Sequence, residues 1–391
     1  MDITIQPRLL RGTVHVPPSK SMAHRLLICA AFAKSPSDLI CPQINDDIAA
    51  TAECLNRICH AVVRTDSGYN ICPYQYDTDC SPARVYLNCY ESGATLRFLL
   101  PIVGALGIDA LFEMEGRLSQ RPLSPLWEEM ERMGCNLSRP TENTIRCTGR
   151  LRPGHYCMDG SISSQFISGL MLALPLIDGE ANLEITGNIE SRPYIEMTRQ
   201  VLARFEQGCP NQINVEGDWS NGAFWVSAAY LGSDDLCIQN LDDDSIQGDR
   251  AILEILPLLT KSHCTISASD IPDLIPILSV VAAENQGAVF TDIHRLRYKE
   301  SDRVASIIAM IESLGGKAEA TYNTLTIHGT GLHGGTVNSF HDHRIAMSAA
   351  IAATVCKKQI TILDAECVNK SYPNFWDDYQ ALGGKYAQFL R

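Results

Sequence analysis

Six polar clusters each open an apolar run in this chain, and four of them carry basic residues. Ser19-Lys20-Ser21 with Arg25 precedes residues 26–33, and Ser92-Gly93 with Arg97 opens the run to Leu106. Ser163-Ser164-Gln165 precedes 166–174, and Pro272-Asp273 precedes 274–283. Lys299-Glu300-Ser301-Asp302-Arg303 precedes 304–314, and His341-Asp342-His343-Arg344 precedes 345–355. A Ser or Asp in such a place is explained by helix capping, worth about 1 kcal/mol. Lys and Arg are not, because a helix N-terminus already carries roughly half a positive charge. Basic residues there make sense when an anion sits at the junction, held by amides, dipole and side chain together. At 4 Å and an effective dielectric of 20, each cation adds ~4 kcal/mol of gross attraction. The chemistry indicated is the handling of small phosphorylated anions, with Ser19-Lys20-Ser21 and Arg25 a principal holding element.

Other chemistries are missing their signatures. No G-x-x-x-x-G-K-[ST] and no G-x-G-x-x-G after a strand occurs, so a nucleotide is not indicated. No H-E-x-x-H spacing occurs, and His341 and His343, two apart, point to different helix faces. The fifteen cysteines are odd in number and contain no C-x-x-C pair, which fits reduced thiols packed as small hydrophobes. The formal net charge of −13 argues against nucleic acid and anionic membrane as partners. Apolar stretches at 98–112 and 169–177 are too short to span a bilayer, and the N-terminal residues lack a signal-peptide pattern. The expectation is a soluble, cytoplasmic, monomeric enzyme.

The elements that must position these clusters repeat along the chain. Residues 127–151 and 311–332 each read as an amphipathic helix, a Gly stop, and two strands around a polar turn. Weaker copies run over 52–71 and 201–215. A helix plus hairpin cannot bury its own apolar face, so several such units must pack together. With 391 residues, two domains are expected. Crossing points are expected near 13–17, where Pro17-Pro18 restricts the chain, and in 216–222. The fold class is α+β (mixed α/β), with two similar domains of about three repeated βαβαββ-type units joined by a two-strand hinge. The expected boundaries are 16–218 for one domain, and 1–15 plus 219–391 for the other.

Pro18-Ser19-Lys20-Ser21-x-x-x-Arg25, Gly93-x-x-x-Arg97, Gln120-Arg121-Pro122, Asp159-Gly160-Ser161-x-Ser163-Ser164-Gln165, Ser191-Arg192-Pro193-Tyr194, Pro272-Asp273, Lys299 to Arg303 and Asp342-His343-Arg344 occur in an order that resembles the 5-enolpyruvylshikimate-3-phosphate synthase family. The resemblance covers almost the whole chain. It implies two domains, each of three repeated units, and transfer of the enolpyruvyl group of phosphoenolpyruvate to the 5-hydroxyl of shikimate-3-phosphate, without a cofactor or metal. It further implies that Lys20, Ser21, Arg25, Ser163, Ser164, Gln165, Ser191, Tyr194, Asp273 and Lys299 hold shikimate-3-phosphate. Lys20, Gly93, Arg121, Gln165, Arg303, Arg344 and Lys370 would hold phosphoenolpyruvate. Asp273, Glu300, Lys20, Lys370 and His343 would form the catalytic set, with Asp273 as base and either Glu300 or Lys20 protonating the methylene carbon. Asp47 would lie near the reacting centre. The alternatives are a UDP-sugar enolpyruvyl transferase and a non-catalytic anion-binding protein on the same scaffold.

Four features depart from the family pattern. Ala94 replaces Thr and Glu91 replaces Asn, which bears on phosphoenolpyruvate and glyphosate-like inhibitors. Arg295-Leu296 replaces Asn-Trp. The stretch 249–273 is short, so one repeat in the C-terminal half is expected to lack part of its sheet.

Overall fold

The computed structural model describes residues 1–73 and 84–389; Cys80, one of the fifteen cysteines, lies outside them. The chain forms two compact units, residues 18–216 and residues 1–17 plus 217–391. Each unit has its own apolar core.

The repeat is clearest at 85–149. Val85–Asn88 pairs in parallel with Ala110–Glu113 across the helix Gly93–Leu106. The helix Leu126–Arg132 follows, then the hairpin Cys135–Ser138 and Thr144–Gly149, whose second strand runs antiparallel to Ala110–Glu113. Leu87, Phe112 and Ile145 fall in one register row and are fully buried, so the row faces the helices. This is the period-2 alternation of a half-buried sheet.

Elsewhere in residues 18–216, Ser37–Ile40 carries the hairpin Val62–Thr65 and Gly68–Ile71. Its parallel neighbour is Gln212–Asn214, from the far end of the unit. The pair Gly154–Asp159 and Ala181–Thr186 has no hairpin. The helix and hairpin expected over 201–215 is therefore corrected. Arg192–Glu206 is a helix, but Pro210 ends the connection and only the three-residue strand Gln212–Asn214 follows, closing the first repeat's sheet.

The second unit is built alike. Cys264–Ser267, Ala288–Thr291 and the hairpin Lys317–Ala320 and Thr324–His328 form one sheet. In another, Asp2–Gln6 lies between Ile360–Leu363 and Lys385–Phe389, taking the place of a hairpin strand. Gly12–His15 and Leu236–Gln239 form a two-stranded parallel pair. There the helix Ile252–Lys261 runs straight into Cys264–Ser267, which is what the short 249–273 stretch becomes.

Each repeat carries a helix threaded through the interior, and five of the six are capped by Ser or Asp side chains. Ser19, Ser92, Ser163, Asp218 and Asp342 accept from the N–H of Met22, Thr95, Gln165, Asn221 and Arg344. These caps satisfy donors that a buried helix start would otherwise leave open. The sixth helix, Ile275–Glu284, begins with no side-chain cap and Pro276 in its first turn. Asp273 therefore does not cap it, contrary to the simple reading of Pro272-Asp273, and its carboxylate is used elsewhere. The helices Gly93–Leu106 and Ser164–Ala173 pack at Gly169, where any Cβ would collide with the Arg97 carbonyl oxygen. Only glycine permits that approach.

Candidate functional site

The polar clusters gather into one constellation in each unit. In residues 18–216, Lys20 is the first helical residue after the Ser19 cap, and its Nζ lies 2.9 Å from Asp47 Oδ2. Asp47 sits in the first turn of Asp46–Cys59, where the helix dipole favours a carboxylate. Arg25, one turn on, is buried. Its Nε donates to Thr198 Oγ1 at 2.8 Å, Nη1 to the Ser21 carbonyl at 2.7 Å, and Nη2 to Tyr194 O at 2.9 Å and Ser168 Oγ at 3.2 Å. Its guanidinium lies over the Phe98 ring at 5.1 Å. Burial lowers its pKa to about 10, so it stays cationic at neutral pH. Arg25 thus ties the Lys20–Ala31 helix to the Tyr194 backbone, bringing the segments of Ser21 and Tyr194 together. Ser191, at φ 54°, precedes the helix Arg192–Glu206 and is itself buried.

Ser163 caps and Ser164 begins the helix Ser164–Ala173. Gln165 Oε1 accepts from Arg97 Nη1 at 2.7 Å, and Arg97 Nη2 donates to the Pro122 carbonyl at 3.1 Å. Arg97 also lies over Phe166 at 5.3 Å. It connects two expected ligand residues, Gln165 and Arg121, through the next residue of the latter. Arg97 carried a motif but no assigned role in the sequence; its helical spacing from Gly93 was the available signal. Arg121 reaches Gly93: a Cβ built at Gly93 would lie 2.8 Å from Arg121 Nη1. Behind these residues runs a hydroxyl chain. Ser92 and Thr95 are 2.7 Å apart, Thr95 and Thr51 2.7 Å, and Thr51 and His24 Nδ1 2.7 Å. Burial, with Lys20 and Arg25 nearby, lowers the His24 pKa to about 3 against the opposing Asp47 charge, so the ring is neutral.

In the other unit the hub is Arg303, whose side chain is fully closed to solvent. Nε donates to Asp342 Oδ2 at 3.0 Å, Nη1 to Asp273 Oδ1 at 2.7 Å, and Nη2 to Glu300 Oε2 at 2.7 Å. Arg303 is the first residue of the helix Arg303–Ser313. With Arg303 closed to solvent, this segment is not a solvated helix face. Asp273 also meets Arg344 Nη2 at 3.0 Å and Lys299 Nζ at 3.7 Å. Burial opposes its ionisation, but Arg344, Lys299 and Arg303 outweigh it and hold the carboxyl well below the usual range. Burial lowers the Lys299 pKa to about 8, Asp273 opposing and Arg303 and Arg295 assisting. Arg303 is pushed up despite burial, by Asp342, Glu300 and Asp273. His343, buried, begins the helix His343–Ala352, and Lys370 ends the 3₁₀ turn Ala365–Lys370.

Asp249 was not singled out in the sequence. It is buried, accepts a hydrogen bond from Ser220, and its Oδ1 has no hydrogen-bond partner. Burial and the Asp273 charge raise its pKa to about 7, against Arg344. Its only sequence signal was a polar residue before the apolar run 251–259. Among the described residues, no group of His, Cys, Asp and Glu is placed to hold a metal ion. Their cysteines are all free thiols. None of the described helices is long and apolar enough to cross a membrane.

The family model for EPSP synthase (3-phosphoshikimate 1-carboxyvinyltransferase) matches residues 5–379. The chain belongs to the EPSP synthase family. A 3-phosphoshikimate 1-carboxyvinyltransferase of Clostridium acetobutylicum is 37% identical, covering 98% of this chain and 97% of its own. One from Clostridium perfringens is 38% identical, covering 98% of each chain. The EPSP synthase of Acinetobacter baumannii superposes with a TM-score of 0.76 at 21% identity, over 99% of this chain and 100% of the other. The enolpyruvyl transferase NikO from Streptomyces tendae gives 0.73 at 17% identity, over 100% and 99%. These two structural likenesses establish the EPSP synthase fold, and the family membership rests on the model and the Clostridium relatives.

Proposed function

We propose that this chain transfers the enolpyruvyl group of phosphoenolpyruvate to the 5-hydroxyl of shikimate-3-phosphate and releases phosphate. It is a transferase of the shikimate route to aromatic amino acids. The observation that carries the reading is the cluster of Asp273, Lys299, Glu300, Arg303 and Arg344 within a family match spanning nearly the whole chain.

The bond changes define what the residues must do. The 5-hydroxyl oxygen attacks C2 of phosphoenolpyruvate and gives up its proton. C3 gains a proton and becomes a methyl group, producing a tetrahedral adduct. The C2–O bond to phosphate then breaks, C3 loses a proton, and the enol ether and phosphate result.

Asp273 is the assigned base for the hydroxyl proton. Its surrounding cations keep it ionised, which is the form a base requires. Held so low, it is a weak base until those cations are drawn elsewhere. The carboxylate and phosphate of phosphoenolpyruvate are the natural competitors for Arg344 and Arg303, whose planar forks suit such anions. Substrate binding would thus raise the proton affinity of Asp273 and Glu300 together. Either Glu300 or Lys20 is the assigned proton donor to C3. Arg121, Gly93, Gln165 and Lys370 are assigned to phosphoenolpyruvate. Ser21, Arg25, Ser163, Ser164, Gln165, Ser191, Tyr194 and Lys299 are assigned to shikimate-3-phosphate, and His343 supports the catalytic set. The protein works as a monomer in the cytoplasm, with no cofactor. Incubating it with both substrates and following phosphate tests the reading, and a UDP-sugar acceptor in place of shikimate-3-phosphate should give none.

A further inference from the structure

Glu91 departs from the family pattern two residues before Gly93, and its side chain has a specific destination. It folds over Gly116. A Cβ built on Gly116 would collide with the Glu91 carboxylate oxygen and lie 2.6 Å from its Cδ and 3.1 Å from its Cγ. Gly116 has φ +54°, so the backbone there also favours glycine. The two segments are joined beside this contact as well. Glu115 N donates to the Tyr90 carbonyl at 2.8 Å, and Asn88 Nδ2 reaches Glu115 Oε1 at 3.3 Å. On the near side, Asn88 Oδ1 accepts from Tyr90 N at 2.8 Å, which sets the turn that carries Glu91.

From Gly116 the chain runs through a tight turn to Arg121. Leu118 N donates to Glu115 O at 3.2 Å, Gln120 N to Arg117 O at 3.1 Å, and Arg121 N to Leu118 O at 3.2 Å. The Arg121 guanidinium then returns to Gly93, as described above. The result is a closed ring: Glu91 on Gly116, the 116–121 turn, and Arg121 on Gly93. Leu118 anchors the middle of the turn in the core, and Arg139 Nη1 and Arg97 Nη2 donate to the Ser119 and Pro122 carbonyls at 3.3 and 3.1 Å; residues 115–117 are exposed, and Glu91 bears on that end of the turn. Arg121 Nε is buried with no hydrogen-bond partner, so the guanidinium is not fixed by its own contacts at that atom.

We propose that Glu91 is a positioning residue: its carboxylate, seated on Gly116, fixes the 116–121 turn and thereby aims Arg121 at the phosphoenolpyruvate phosphate. A carboxylate beside an anion site would repel the substrate if it faced it. Turned onto Gly116, it braces the arginine instead. The inference rests on the proposed function, because it concerns the affinity for one of the two substrates.

The test is a double-substitution cycle with Glu91→Ala, Gly116→Ala and the pair, alongside Glu91→Gln. Phosphate release by the unaltered protein with both substrates is the control; its absence would refute the proposed function, not the brace. Each single Ala variant is expected to raise the KM for phosphoenolpyruvate about tenfold, with the KM for shikimate-3-phosphate and kcat within about twofold. Glu91→Gln, of the same shape, should restore most of the affinity. Gly116→Ala should do less further harm once Glu91 is Ala, because the collision has been removed and only the cost of Ala at φ +54° remains. Melting midpoints give the same cycle without turnover: Gly116→Ala should lower the midpoint clearly less in the Glu91→Ala background. Effects that multiply independently, equal midpoint losses in both backgrounds, or a rise in both KM values would overturn the proposal.

Discussion

Arg303 Nε lies 3.0 Å from Asp342 Oδ2, and both side chains are fully closed to solvent. The other Asp342 oxygen caps His343–Ala352 through the Arg344 N–H at 3.0 Å. One carboxylate therefore fixes both the Arg303 guanidinium and the start of the helix carrying Arg344. Breaking a buried pair strands the remaining charge, at ~3–5 kcal/mol. Asp342→Ala should lose about that much in urea unfolding, whereas Glu312→Ala, on the exposed side of the Arg303–Ser313 helix, should lose less than ~1 kcal/mol. Equal small losses would show that the pair does not organise the site.

Asp273 and Glu300 each hold one arm of Arg303 and carry the assigned proton transfers. Asp273→Asn and Glu300→Gln preserve shape and remove the exchangeable carboxylate. Turnover should fall by about 10²–10⁴-fold in each. Circular dichroism should match the unaltered protein. Near-normal turnover in either variant would refute the assigned role.

Lys299 has a pKa lowered to about 8, so it loses its charge as pH rises through that value. Its assigned ligand is an anion. The KM for shikimate-3-phosphate should therefore climb above about pH 8. Lys299→Arg, charged throughout, should remove that climb while leaving the KM near pH 7 within about threefold. A pH profile unchanged by the substitution would separate Lys299 from the substrate.

Asp249 behaves in the opposite sense. Its folded pKa is raised from 3.8 to about 7, so the folded state binds the proton more tightly than the unfolded chain. That contribution to stability is fully present below pH ~4 and is lost as pH rises through about 7. Asp249→Asn, which cannot ionise, should have a flatter melting midpoint between pH 5 and 8. It should exceed the unaltered protein at pH 8 by several degrees, about what 1–2 kcal/mol gives in a domain of this size. A midpoint gap that does not change with pH would show that Asp249 stays ionised.

The readability of the chain followed from how local each feature is. The helix starts were legible because a capping side chain and its target N–H are three residues apart, as at Ser92 and Thr95. The hairpin units at 127–151 and 311–332 were legible from period and turn chemistry. The strand Gln212–Asn214 was not, because its partner Ser37–Ile40 lies more than 170 residues away and pairing at that distance leaves no local mark. Asp273 was misread as a helix opener because its partners, Arg303 and Arg344, are brought to it by tertiary packing. Asp249 escaped notice for the same reason: its raised pKa arises from burial and from the Asp273 charge, neither of which has a sequence signature.

The central claim is a reaction with two obligatory substrates, and phosphate release tests it most directly. The purified protein given shikimate-3-phosphate and phosphoenolpyruvate together should release one phosphate for each enolpyruvyl group transferred, and neither substrate alone should yield any. Folded protein that releases no phosphate from the pair, or releases it from phosphoenolpyruvate alone, would contradict the account.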